Sequence, residues 1–437
     1  MLVQRRTEGR RLGVFATAAV AATALIASAL PAHAETGVTS STIKLGITVP
    51  MTGAAAPGYN KIPAAMTAYF NYVNANGGVN GRKVQLIVKD DAYSPAQTLS
   101  VTNDLILKDK VFAVVGTLGT ANNEATTRLI NSHGVPRLFV NTGYSGFADM
   151  KKYPTTFPLF PSYATEAKVM GKYIADNYAG HKVALIYQDD DFGADALKGF
   201  ATAGTTFAAK IPYSALSQAD PSVVGKWITS IVGAGADTVV MFGVTSATGA
   251  LAGGLYKAGL IGKVQMILGS VGSDGTTLKG LLGPLAPALA GSVAASFLPS
   301  PSDATDEYVN LFKEVNTKYN AGASFDNNVL VGMNTAMLTV EALRAAGQSP
   351  TRASLIKAIS AKGSTWASAA FSPILYSAKS HVGYTGYWFG KLGLDGNAVS
   401  VDGPGKYTLY TTDSGSAPVV KAAAVRPAMP AKGLPNN

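Results

Sequence analysis

The chain has 437 residues, 47% of them hydrophobic, enough to bury more than one core, because single cores seldom grow past about 250–300 residues. Charged residues make up only 14%, and the formal charge of +10 is spread without the basic runs or basic–aromatic interleaving of a nucleic-acid groove. There is no cysteine, which excludes a disulfide framework, thiolate chemistry and an N-terminal lipid-bearing cysteine together.

Arg5, Arg6, Arg10 and Arg11 precede an apolar stretch over 12–30 that ends at the small-residue site Ala32-His33-Ala34. This is the layout of a secretory signal peptide over 1–34, cleaved after Ala34. The alternative is a membrane anchor, since the stretch is long enough to span but is mostly Ala, Thr, Ser and Gly. Arg10-Arg11 admits a twin-arginine export route beside the general one. Cleavage removes four arginines and Glu8, lowering the charge to +7, and leaves His133, His181 and His381, whose spacing suggests no metal site. The expectation is an exported protein, periplasmic or extracellular, soluble and not lipid-anchored.

Ile43, Leu45, Ile47 and Val49 alternate with Lys44, Gly46 and Thr48, the period of a strand. Ile62, Ala65, Met66, Tyr69, Phe70 and Val73 then fall on one face of a helix, with Pro63 tolerable in its first turn. Asn76-Gly77-Gly78 stops that helix, Asn80-Gly81 adds a turn, and 84–88 is a short apolar run suited to a strand buried on both faces of a parallel sheet. Asp90-Asp91 lies past its carboxyl end and Pro95 opens the next helix over 96–108, which completes a right-handed β-α-β unit. The pattern predicts strands over 111–115 and 137–140 around a helix over 121–131. A second set follows, with strands over 182–187, 238–242 and 264–268 and helices over 194–203, 224–232 and 247–258. Helices over 305–319, 328–346 and 352–361 come next. The end, 414–437, is rich in Ala, Pro, Ser and Lys without periodicity and reads as a disordered tail. The fold class is therefore α/β, with two doubly wound, Rossmann-like lobes.

The segments "NANGGVNGRKVQLIVKDDAYSP", "VFAVVGTLGTAN", "GVPRLFVNTGYS" and "KVALIYQDDDFGADAL" resemble, in the same order, those of the branched-chain amino acid (leucine/isoleucine/valine) binding proteins of ABC transporters. The resemblance covers roughly 41–410. It implies a type 1 periplasmic-binding fold whose two lobes, joined by three crossover strands near 156–162, 291–299 and 382–389, close on a small ligand. Lobe one would comprise 41–157 plus 297–384, and lobe two 162–291 plus 388–412. Independently of family, ligands of open α/β sheets bind outside the carboxyl ends of the strands.

Free N–H groups at a helix start, with a hydroxyl, suit a carboxylate, and Leu118, Gly119 and Thr120 fall on the family's first ligand loop. Thr120 reads equally as a helix N-cap. By the same resemblance Thr142, Gly143 and Tyr144 belong to the second ligand loop, Tyr59 lines the cleft, Phe192 covers the ligand, and Thr245 or Ser246 contacts it. Two positions that often form a disulfide in the family are here Tyr93 and Gly119. The acid that pairs with a bound ammonium should lie in Gly269-Ser270-Val271-Gly272, but the side chain of Val271 accepts no hydrogen bond. The ligand is then either an amino acid paired by Asp190, Asp191 or Asp274, or an organic or aromatic acid without an ammonium.

An enzyme is not expected: Gly-x-Ser-x-Gly, His-Glu-x-x-His and the dinucleotide fingerprint are all missing. No catalytic residue, metal or cofactor is expected. The expected partners are the small-molecule ligand and an ABC permease, with the protein itself a monomer; the alternative is a receptor module feeding a membrane sensor.

Overall fold

The computed structural model describes residues 35–435; the signal-like segment 1–34 lies outside the described residues. The alternating apolar positions of β1 (Thr42–Val49) are buried, and the strand pairs in parallel with β2 (Lys83–Asp90) on one side and β3 (Ala113–Val115) on the other. β4 (Arg137–Val140) and β5 (Thr156–Pro158) complete a parallel five-stranded sheet in the order β2-β1-β3-β4-β5. Its connecting helices are α1 (Ile62–Ala75), α2 (Pro95–Leu107) and α3 (Thr120–Ser132). In α1 the buried face includes Ile62, Ala65, Met66, Tyr69, Phe70 and Val73, as the periodicity requires. The chain turns off that helix through Gly78 at φ +68, where a Cβ would stand 2.2 Å from the Arg82 carbonyl oxygen; only glycine fits.

The second sheet runs β14-β13-β11-β10-β9-β8-β6-β7, with β12 also paired to β11. Its parallel part consists of β6 (Val183–Gln188), β7 (Ala209–Tyr213), β8 (Thr238–Phe242), β9 (Gln265–Leu268) and β10 (Val293–Ser296). The antiparallel part is β11 (Gly386–Leu392), β12 (Ala398–Ser400), β13 (Thr408–Thr411) and β14 (Val420–Ala423). Helices α4 (Tyr163–Asn177), α5 (Asp191–Thr202), α6 (Pro221–Gly233), α7 (Thr245–Lys257) and α8 (Gly275–Leu282) belong with it. After β10, α9 (Glu307–Tyr319) and α10 (Asn327–Ala345) pack on α1, and α11 (Arg352–Lys362) packs on α10, so this stretch lies with the first sheet.

The chain thus passes between the lobes three times: after β5, after β10 and before β11. One side chain touches all three passages. Phe297 contacts the rings of Phe160, Tyr384 and Tyr387, with centroids 4.7, 5.9 and 6.0 Å away, and Tyr384 donates its backbone N–H to the Leu159 carbonyl at 2.9 Å. The junction is therefore an aromatic cluster laced by backbone bonds.

The end of the chain departs from expectation. Residues 414–435 are not a disordered tail: β14 pairs antiparallel with β13, and the Tyr69 and Tyr72 hydroxyls donate to the Gly433 and Lys432 carbonyls. The segment has no periodic apolar face, although Val419, Met429 and Leu434 pack against the core. Its order comes from an open sheet edge and from hydrogen-bond donors supplied by distant residues, neither of which leaves a local period.

Truncating Phe297 empties the junction. Phe297→Ala should cost about 3–5 kcal/mol of unfolding free energy, the usual range for a buried phenylalanine, read from urea denaturation of parent and variant.

Candidate functional site

The loops at the carboxyl ends of both sheets meet in a closed cleft. The Tyr59 hydroxyl, at the mouth of α1, donates to the Val271 carbonyl at 2.6 Å. The backbone N–H and side-chain amide of Asn328 donate to Asp274 at 3.3 and 2.7 Å, and the Gln188 amide reaches the Tyr93 hydroxyl at 3.4 Å. At the rim, Ser145 donates its N–H and hydroxyl to Asp195. Each of these bonds joins one lobe to the other.

Two small chambers remain between them. One, of ≈ 20 Å³, is lined by Leu118, Gly119 and Tyr93 from lobe one and by Tyr163, Phe192 and Val244 from lobe two. The other, of ≈ 40 Å³, is lined chiefly by Phe160, Phe297, Ser270, Asp274 and Asn328. Tyr59, Asn141 and Val271 line both. On this measure a single water needs about 10–15 Å³, so a solute of more than a few atoms must displace Tyr59 or hold the lobes slightly apart. Wider grooves of ≈ 580 Å³ beside α10 and α11 and ≈ 540 Å³ between α6 and α7 lie away from the strand ends.

Two helices begin at the first chamber without a side-chain cap. α3 has Gly119 as its N-cap, at φ 95, and α7 has Val244. By contrast α2, α4, α5, α6, α9 and α10 are capped by Ser94, Ser162, Asp190, Asp220, Asp306 and Asp326. The first N–H groups of an α-helix have no intrahelical partner and carry its positive end. Uncapped starts from opposite lobes therefore make the chamber receptive to an anion.

Thr120 is the first residue inside α3, not its cap, and its hydroxyl is bonded to that of Thr142 at 2.7 Å. Thr245 occupies the matching position in α7, its hydroxyl 3.3 Å from the Val271 carbonyl, while the buried hydroxyl of Ser246 has no partner in the protein. Gly143 lies beside Tyr163, where a Cβ would stand 2.9 Å from the ring. Tyr144 lines neither chamber; it packs edge-on against Phe147. Phe192 sits inside the first turn of α5, because Asp190 caps that helix and starts it earlier than the apolar pattern indicates. Sequence reading missed Asn141, Tyr163 and Val244 as wall residues. It noted Tyr93 only as a lost half-cystine position: a Cβ at Gly119 would stand 2.9 Å from that ring, so an aromatic contact joins the two positions here.

The carboxylates around the cleft are committed. Asp274 accepts from Thr277 and Asn328, and burial together with the nearby charge of Asp326 pushes its pKa up to about 6. Asp190 accepts from Gln188 and caps α5, and Asp191 is exposed. Behind the Ser270–Gly272 turn lies a group that sequence reading passed over. Glu166, fully buried in α4, accepts from the N–H and hydroxyl of Ser270 and from the Tyr387 hydroxyl, yet burial outweighs these bonds and raises its pKa to about 7.

An acid whose pKa is raised by folding binds its proton more tightly in the folded than in the unfolded chain. Stability then falls as pH climbs from the ordinary glutamate range to about 7 for Glu166. Glu166→Gln should remove this part of the slope, melting higher than the parent at pH 8 and close to it at pH 4.5, as thermal denaturation across that range would show.

The periplasmic binding protein family profile matches residues 42–397. A Leu/Ile/Val-binding protein homolog 2 from Brucella abortus is 30% identical over 157 residues, 36% of this chain, and the match spans less than half, 42%, of that relative. Among solved structures, a branched chain amino acid ABC transporter protein from Thermus thermophilus with bound valine superposes with a TM-score of 0.72 at 21% identity, covering 86% of this chain and 98% of that one. A solute binding protein from Rhodopseudomonas palustris BisB5, in complex with 3,4-dihydroxy benzoic acid, gives 0.69 at 23% identity, covering 88% and 98%. Among the described residues no helix is long and apolar enough to cross a membrane. With the profile spanning most of its length and the two-lobed fold in place, this chain belongs to the periplasmic binding protein family.

Proposed function

We propose that the chain is the extracytoplasmic solute-binding component of an ABC importer, a monomer whose lobes close on a small carboxylate-bearing solute and present it to a membrane permease. The observation that carries this reading is the pair of uncapped helix starts, α3 and α7, facing one chamber from opposite lobes. A carboxylate there would accept from first-turn N–H groups of the two helices other than that of Val244, which already donates to the Tyr213 hydroxyl at 3.4 Å, and the buried Ser246 hydroxyl is still unpaired. The remaining wall is aromatic and aliphatic, from Tyr59, Tyr93, Tyr163, Phe192, Phe160 and Phe297.

The same wall favours an acid without an ammonium. Val271 stands where the resemblance places the acidic partner, and the one carboxylate lining either chamber, Asp274, already accepts from Thr277 and Asn328. A buried ammonium lacking a partner costs several kcal/mol. Relatives of this fold bind both kinds of solute, valine in one and a dihydroxybenzoate in another, so Val271 becomes the deciding position.

Thermal denaturation of protein unfolded and refolded to strip carried-over solute should show stabilisation by benzoate-type or short aliphatic acids, reaching about 4 kcal/mol at 1,000 times the Kd. Valine and leucine should shift the curve little. In Val271→Asp the order should reverse, acids losing at least about tenfold in affinity, or 1.4 kcal/mol. Binding of valine or leucine by the parent chain would overturn the preference for acids, and binding of neither class would overturn the carboxylate site.

A further inference from the structure

Residues 413–434 make a fourth connection between the lobes, outside the three crossover passages. At the lobe-two end, the Lys168 ammonium in α4, 3% exposed, donates to the carbonyls of Asp413, Gly415 and Ala417 at 3.1, 2.7 and 2.8 Å and lies 3.2 Å from the Asp413 carboxylate. A buried ammonium is costly unless its donors are satisfied, and this loop supplies the acceptors. β14 then adds to the edge of the second sheet beside β13.

At the lobe-one end, Arg426 pairs with buried Asp306, the cap of α9, at 2.6 Å and donates to the Ala369 carbonyl at 2.9 Å. Its guanidinium lies over the rings of Tyr308 and Phe371, 4.5 and 5.2 Å from their centroids, an arrangement that adds cation–π attraction to the ion pair. Farther on, Tyr308 donates to Pro427, Tyr72 to Lys432 and Tyr69 to Gly433. Gly433 is seated so closely that a Cβ would stand 1.9 Å from the Leu311 side chain.

Between β14, which ends at Ala423, and Arg426 lie only Ala424 and Val425, and Val425 is itself bonded to the Phe371 carbonyl. Two residues add at most about 7 Å at full extension. The link has little slack, and both of its ends are engaged while the cleft is shut. We propose that residues 413–434 form a strap that holds the lobes toward the closed arrangement, so that releasing its lobe-one end shifts the ligand-free protein toward the open one. The strap acts on closure itself and so holds for any solute.

The absence of cysteine makes the test direct. Ser132→Cys on α3 and Lys226→Cys on α6, both exposed, give one spin label on each lobe, and pulsed dipolar spectroscopy reads the distance between them without ligand. Inserting a flexible Gly-Ser segment between Ala424 and Val425, or introducing Arg426→Ala, should move the distribution to longer distances. Because Arg426→Ala also strips Asp306 of its cation, the lengthened chain, which keeps that pair and both anchors but removes the tautness, is the deciding variant. A folded lengthened chain whose distance distribution matches that of the parent chain would overturn the strap. The readout involves no solute, so failure of the carboxylate reading leaves it untouched.

Discussion

Strand direction is the constraint on which the molecule depends. The five strands of the first sheet and the parallel strands of the second deliver their carboxyl ends to the same cleft, and parallel pairing obliges a helix to start after nearly every one of them. Helix starts therefore accumulate where the lobes meet. Most are closed by a Ser or Asp cap. α3 and α7 are left open, because Gly119 and Val244 have no side chain that can accept. The site is thus less a set of special side chains than places where routine capping is withheld, as it also is at α1, whose N-cap Lys61 makes no side-chain cap bond.

The lobes meet through bonds of modest individual worth. A buried phenol to a carbonyl, as from Tyr59 to Val271, contributes about 1 kcal/mol net, and the Asn328–Asp274 and Ser145–Asp195 bonds, made to carboxyl groups, contribute about 1–3 kcal/mol each. A sum of such contacts can be offset by hinge entropy and by the hydration regained on opening. On the proposed reading, the binding energy of a solute tips the balance by its preference for the closed form. At the other end of the same loops, Glu166 joins the Ser270 turn to Tyr387 of the third passage. The wall of the cleft and the hinge are connected there by one buried carboxyl group.

The first lobe was legible because its signals are local. Helical periodicity in α1, the glycine stop at Gly78 and the apolar run of β2 each specify their own conformation within a few residues, although β2 is a half-exposed edge strand and not one buried on both faces. Tyr59, Leu118, Gly119, Phe192 and Val271 are placed at the cleft by the family resemblance, each past a strand end, and the structure brings these together around the two chambers. Tyr144 follows a strand end too, yet Phe147 and the short turn after it draw the ring aside. Tyr163, Val244 and Phe160 were not legible, since their role depends on how the lobes stand against each other.

The carboxy-terminal segment shows most sharply where local reading fails. Composition predicts disorder when a segment cannot bury enough apolar surface to offset its chain entropy, and residues 414–435 show no periodicity that would mark such a surface. The criterion assumes that the segment must supply its own stabilisation. Here Lys168, buried in α4, donates to three carbonyls of this loop, and Arg426 enters an aromatic slot built by Tyr308 and Phe371. Order in such a segment is set jointly by its own Arg426 and Gly433 and by the surface it crosses, so much of the sequence that encodes it lies elsewhere, in α4, α9 and the loop around Phe371.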